Sequence, residues 1–191
     1  MEGNVMTTLV TALDGAYTHC ANVIVGIDDA QLDLPTPCAE WDVRATLDHL
    51  IGATWMFTLV NQGRAVGEDA GGIGGGDPMT ALTDAAAANA ASWRTPGAFD
   101  GDRTFPFGTF PADAAAMMNL SEVVVHTWDV ASALGADATM DPSAAAMLDD
   151  FYGAISLDPY RAHGAFGAEA RVDPNAPPAV RLLGRLGRRP V

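Results

Sequence analysis

Residues 121–135, SEVVVHTWDVASALG, constrain this chain more than any other stretch. They contain no proline and end on glycine, so they read as a helix with a stop. Glu122 and His126 stand four residues apart. In a helix that spacing is one turn plus about 40°, or about 6 Å of rise, so both side chains share a face. Val123, Val124 and Val125 lie between them, with Trp128, Val130 and Ala131 beyond. An ionisable pair inside such an apolar run is headed for an interior, where an unpaired charge is costly unless a partner or a metal takes it up. A carboxylate and an imidazole on one helix face, completed by a ligand from a second helix, make a transition-metal site. The alternative is a buried histidine–carboxylate hydrogen bond that happens to lie within a helix.

A ligand from a second helix requires a bundle, and the remaining periodicity predicts one. Val5, Leu9, Leu13, Ala16, Cys20, Val23 and Ile27 recur at intervals of three and four, giving a first amphipathic helix over 5–27. Pro35 and Pro37 make 28–41 a connector. Asp42 is a candidate N-cap for a second helix that runs to about Asn61, with Val43, Leu47, Leu50, Thr54, Phe57 and Val60 as its stripe. A third helix fits residues 78–94, opening on Pro78. Residues 99–111 read as an irregular aromatic connector, followed by a fourth helix over 112–134. A fifth covers about 142–152 with Asp141 as its N-cap, and a short amphipathic turn spans 179–186. Residues 67–77, GEDAGGIGGGD, lack the lysine and strand context of a phosphate loop and read as a mobile surface loop. The predicted fold class is all-α: a single domain over 1–191, built as a four-helix bundle with a short additional C-terminal helix.

Charge narrows the partners. With 24 acidic against 10 basic residues the net charge is −14, which repels phosphate backbones and anionic lipids and argues against nucleic acid or membrane as partners. Apolar runs are broken well short of the roughly 18 residues that a membrane span needs, and the N-terminus lacks the positive region of a signal peptide. A cytoplasmic location is expected, with Cys20 and Cys38 as free thiols. Apolar bundle faces often pair, so a homodimer is compatible with the sequence, although no specific feature calls for one.

The chain has four histidines. His19 has no obvious charged neighbour, and His163 stands in a loop-like RAHGAFG. His49 lies at the edge of the second stripe beside Ala45, Gly52, Ala53 and Met56, small or flexible residues that leave space for a ring to turn inward. His49, Glu122 and His126 are therefore the candidate metal ligands. Asp129, three residues past His126, either accepts the second ring N–H or is an exposed acid with no partner.

The segment TPCAEWDVRATLDHLIGA (36–53) resembles the first signature of the mycothiol-dependent maleylpyruvate isomerase family, part of the DinB-like helical-bundle superfamily. In that signature a Pro-Cys loop and a tryptophan lead into a helix carrying a metal-binding histidine. SEVVVHTWDVASALG resembles the second, in which Glu-x-x-x-His-x-Trp-Asp supplies two more ligands, although threonine stands where glycine is frequent after the histidine. The tail, with Phe166–Gly167 and APPAVRLLGRLGRRP, is similar to short single-domain members. The resemblance covers nearly the whole chain and implies the same three ligands, His49, Glu122 and His126. It also implies mycothiol as cosubstrate.

Two neutral imidazoles and one carboxylate leave a divalent metal with an open position, the catalytic pattern. Zinc is the default, and nickel or iron(II) suit the same ligands. A metal-bound thiol is deprotonated, where a free thiol has a pKa near ~8.5. The expected function is a metal-dependent, mycothiol-using isomerase or S-transferase acting on a small electrophile. The alternative is a metal-binding helical module without turnover, in a structural or sensing role. Cys38 has no basic partner nearby and reads as a structural thiol, Trp41 and Trp128 as packing residues. Arg44, Arg64, Arg94 and Arg103 are candidates to bind an anionic substrate.

Overall fold

The structure, a computed structural model, describes residues 2–38, 41–67 and 72–189, with side chains from Met6 onward. Helix α1 (Glu2–Ile24) starts and stops three residues earlier than its periodicity suggests. Its buried stripe is Leu9, Leu13, Tyr17, Cys20 and Ile24, with Ala16, Val23 and Ile27 only partly covered. Val5 lies outside the described side chains. The connector after it holds one unexpected turn, α2 (Asp29–Leu32), closed by a capping box between Asp28 and Gln31.

α3 (Val43–Asn61) begins where the Asp42 carboxylate accepts the Ala45 N–H at 2.7 Å. Every residue of its expected stripe is buried, from Val43 to Val60. α4 (Pro78–Trp93) has Asp77 as its cap and Pro78 in its first turn. Residues 99–111 depart from the expected irregular connector, because they hold an antiparallel hairpin of β1 (Asp102–Phe105) and β2 (Gly108–Pro111). Its physical reason is side-chain pairing too short to show as an alternation. Thr104 and Thr109 face each other with hydroxyls 3.0 Å apart, and Phe105 stacks on Phe107 and edges onto Phe57 of α3.

α5 (Ala112–Leu134) matches its expected bounds. Gly135 ends it in the left-handed conformation, φ 64°, and the Ala136 N–H returns to the Ala131 carbonyl at 2.9 Å. α1, α5, α3 and α4 pack in that order around a closed ring, forming the four-helix bundle. α6 (Pro142–Gly153), capped by Asp141, lies against α5. A short α7 (Asp158–Ala162) follows, and α8 (Pro178–Arg185) packs on α6. Asp149 of α6, almost fully buried, accepts from Arg181 and Arg185 of α8 and holds the two together. Among the described residues no helix is long and apolar enough to cross a membrane. The centre of the glycine-rich segment, 68–71, lies outside the described residues. Its far end is anchored rather than free: Ile73 is buried and its N–H donates to Asp48 at 2.5 Å.

Candidate metal centre

α3 and α5 pack side by side, and this brings the three candidate ligands together. Asp42 caps α3, and packing of α3 on α5 turns His49, about two turns on, toward α5. His49 Nε2 lies 3.0 Å and His126 Nε2 3.4 Å from the same oxygen, Glu122 Oε2. One ligand atom from each residue falls within 4.8 Å of the other two. Exposure is graded across the cluster: the His49 side chain is 41% exposed, Glu122 31% and His126 10%. The site therefore has an open side at His49 and a closed wall at His126.

Behind that wall is a buried ion pair. Asp129 is completely buried, and its Oδ2 lies 3.0 Å from His126 Nδ1. Arg188, from the chain's last residues, donates to both carboxylate oxygens, at 3.2 Å and 2.7 Å. Of the two sequence expectations for Asp129, the structure selects the partner of the histidine ring. Sequence reasoning missed Arg188 altogether. The available signal was that an aspartate inside an apolar run needs a cation, while the bases of this acidic chain cluster in its tail.

Electrostatics follow from these contacts. Burial pushes the Glu122 carboxyl upward, but hydrogen bonds from His126 and His49 outweigh it and hold the group below the usual carboxylate range. For His126, burial works against the charged ring, yet Asp129 and Glu122 raise its pKa overall. Asp129 is likewise lowered despite its burial, by His126 and Arg188.

The connector between α2 and α3 roofs the cluster. Thr36 bonds the Trp41 carbonyl through both its N–H (3.0 Å) and its hydroxyl (2.9 Å). Trp41 is thereby placed with its ring centroid 4.6 Å from that of His49 and 5.6 Å from that of His126. It was expected among packing residues; the structure sets it against both imidazoles. Cys38 lies near His126 and Asp129, with ligand atoms within 4.8 Å. Burial pushes its thiol upward, with Arg188 acting the other way, so Cys38 is held as a thiol rather than poised as a nucleophile.

The other candidates lie elsewhere. Trp128 faces away from the cluster, lining a groove of about 740 Å³ between α5 and α1 that His19 also borders. His163 is exposed, next to the end of α7. Arg94 pairs with Asp14, and Arg103 is caged by Asn61 and the carbonyls of Ala98, Asp100 and Asp102. Arg44 and Arg64 make no contact with the cluster that the structure describes. The arginine that reaches it is Arg188.

The residues present fit a divalent metal. Two imidazole nitrogens and a carboxylate oxygen are borderline and hard ligands suited to zinc, nickel or iron(II). Both Nε2 atoms already converge on the carboxylate, and His126 Nδ1 is engaged from behind by Asp129, the outer-shell arrangement typical of metal-binding histidines. Without a metal, the same atoms form a hydrogen-bonded polar cluster.

Fold and side-chain cluster together define a class: helical bundles in which two neighbouring helices present a His–Glu–His group. The chain belongs to the family of the mycothiol maleylpyruvate isomerase N-terminal domain, which it matches over residues 13–131. That span includes His49, Glu122 and His126. Two uncharacterized proteins of Mycobacterium tuberculosis, Rv0738 and MT0763, are each 28% identical over 170 residues, 88% of this chain and 91% of theirs, so the similarity runs almost end to end. Among solved structures, the crystal structure of the mycothiol-dependent maleylpyruvate isomerase aligns with a TM-score of 0.61, covering 85% of this chain and 73% of that one. At 17% identity this likeness is one of fold.

Proposed function

We propose that this chain is a metal-dependent enzyme that uses mycothiol on a small electrophilic substrate, as an isomerase or S-transferase, with His49, Glu122 and His126 holding the metal. The observation that carries this reading is the convergence of three ligand atoms from two helices within 4.8 Å, open on the His49 side. The thiol is suggested by the family and by the structural neighbour, both named for mycothiol.

A divalent metal at such a site, most simply zinc, supplies a Lewis acid that lowers the pKa of a coordinated thiol far below its free value of about 8.5. Glu122 contributes the single negative charge, so the centre stays net cationic and attracts a thiolate. His126, pinned from behind, is the rigid ligand, and His49 forms the rim where a substrate enters. Trp41 lies over both imidazoles and limits their rotation. Addition of an external thiolate to an activated alkene, rotation and departure give cis–trans isomerisation; retention of the new C–S bond, with a proton from solvent taken up at the adjacent carbon, gives S-transfer. We place the protein in the cytoplasm, where its two free cysteines stay reduced.

The test is zinc titration of untagged protein beside Glu122→Gln, which keeps the volume and removes the anion. Wild type is expected to bind about one equivalent. The variant should lose more than the roughly 10–100-fold in affinity that removal of an outer-shell partner costs. Undiminished affinity in Glu122→Gln would sink the ligand assignment. With metal bound, turnover of an electrophilic alkene should require added thiol.

A further inference from the structure

The end of the chain is shaped to carry one guanidinium to the back of the ligand cluster. Past α8, Gly187 takes φ +85°, a conformation that side chains rarely adopt, and a Cβ there would lie 2.8 Å from the backbone of Gly167. Beyond this turn the Arg188 N–H donates to the Leu183 carbonyl at 2.8 Å, and the side chain folds inward until the residue is 8% exposed. Its Nη1 donates to the Leu186 carbonyl at 3.1 Å. Nε and Nη2 remain, and they span the two oxygens of Asp129. A planar fork on both oxygens stops the carboxylate from rotating, which a single-point ammonium cannot do.

Asp129 Oδ2 is shared between Arg188 Nη2 and His126 Nδ1. A carboxylate that accepts from Arg188 on both oxygens acts toward the imidazole as an acceptor. His126 Nδ1 is then the N–H that donates to Asp129, and Nε2 is the ring nitrogen left to face Glu122 and His49. We propose that Arg188 is a positioning residue: acting through Asp129, it locks His126 in the Nδ1–H tautomer and presents Nε2 to the metal. The presentation to metal rests on His49, Glu122 and His126 being ligands; the lock on the tautomer does not. Fold and site are thereby linked, because the ion pair that seats the C-terminal segment on α5 also aims a ligand.

Nitrogen-15 NMR of the imidazoles in metal-free protein, at mildly alkaline pH, reads the tautomer directly. Zinc titration of the same samples reads its consequence. In wild type, His126 Nδ1 should carry the proton, held by Asp129. In Arg188→Ala the two tautomers should average, and the zinc dissociation constant should rise about 10–100-fold, as for other outer-shell partners. Free guanidinium should move both readouts back toward wild type. Arg188→Lys, which retains the charge and guards against loss of fold, should fall between wild type and Arg188→Ala. A lowered melting temperature in Arg188→Ala, with wild-type tautomer and zinc affinity, would overturn the proposal, because it describes a residue that only stabilises the fold. A wild type that takes up no zinc, yet loses its fixed tautomer on Arg188→Ala, upholds the positioning role and counts against the metal reading instead.

Discussion

Cys20 and Cys38 show how one residue type is set by its surroundings. Cys38 stands at the roof of the ligand cluster, half-buried, whereas Cys20 is fully enclosed on α1. Burial pushes the Cys20 thiol from its ordinary 9.0 up to about 11, the neighbouring Thr127 side chain offsetting part of the effect. The folded state therefore favours the protonated thiol. Its contribution is complete below about pH 9 and is lost as pH rises towards 11. The loss is on the order of 2 kcal/mol. Urea midpoints measured across this window should fall in wild type and fall less steeply in Cys20→Ala. Equal slopes would show that Cys20 titrates alike in both states. Tyr17, buried beside it, is also pushed upward and should add to the decline at higher pH.

At the scale of elements, the helices that carry the candidate ligands have differently made ends. α3 has a side-chain cap, Asp42 on the Ala45 N–H, while α5 starts after Pro111 without one and stops at Gly135. Loss of an N-cap costs about 1 kcal/mol, which for a chain of this length lowers the melting temperature by roughly 2–4 °C. Asp42→Ala should show that drop by calorimetry and leave zinc stoichiometry intact, since packing of α3 on α5 still places His49. A loss of zinc binding would mean that the cap also sets the direction of the first turns. The hairpin illustrates the opposite case. Neither strand exceeds four residues, so it depends on the Phe105 contact with Phe57 and on cross-strand pairing rather than on a pattern of its own.

At the scale of the whole molecule, a chain of buried hydrogen bonds ties the four bundle helices together. Asn119 of α5 accepts from Trp93 Nε1 of α4 at 2.9 Å and donates to Tyr17 Oη of α1 at 3.3 Å. Tyr17 in turn donates to Thr54 of α3 at 3.2 Å. Replacing Asn119 by Ala leaves an indole N–H without its acceptor and the tyrosine hydroxyl short of a donor, beside a small cavity. The expected loss is on the order of 3 kcal/mol, read from urea unfolding. A change under about 1 kcal/mol would mean that water or a neighbouring group replaces the amide.

What the amino-acid sequence determined by itself is whatever depends on neighbours a few residues apart. The bounds of α5, the Asp42 and Asp141 caps, the stripe of α3 and the shared face of Glu122 and His126 all arise from contacts within a turn or two, which spacing encodes directly. His49 could be nominated because few histidines compete for the role, yet its meeting with Glu122, 73 residues away, depends on α3 lying beside α5. The pairing of Asp129 with Arg188, across 59 residues, and the placing of Trp41 over both rings were decided only in the tertiary structure. Nothing local in a glycine-rich basic tail marks which arginine turns inward. The choice is made where Gly187 meets Gly167 and a buried carboxylate waits for a charge.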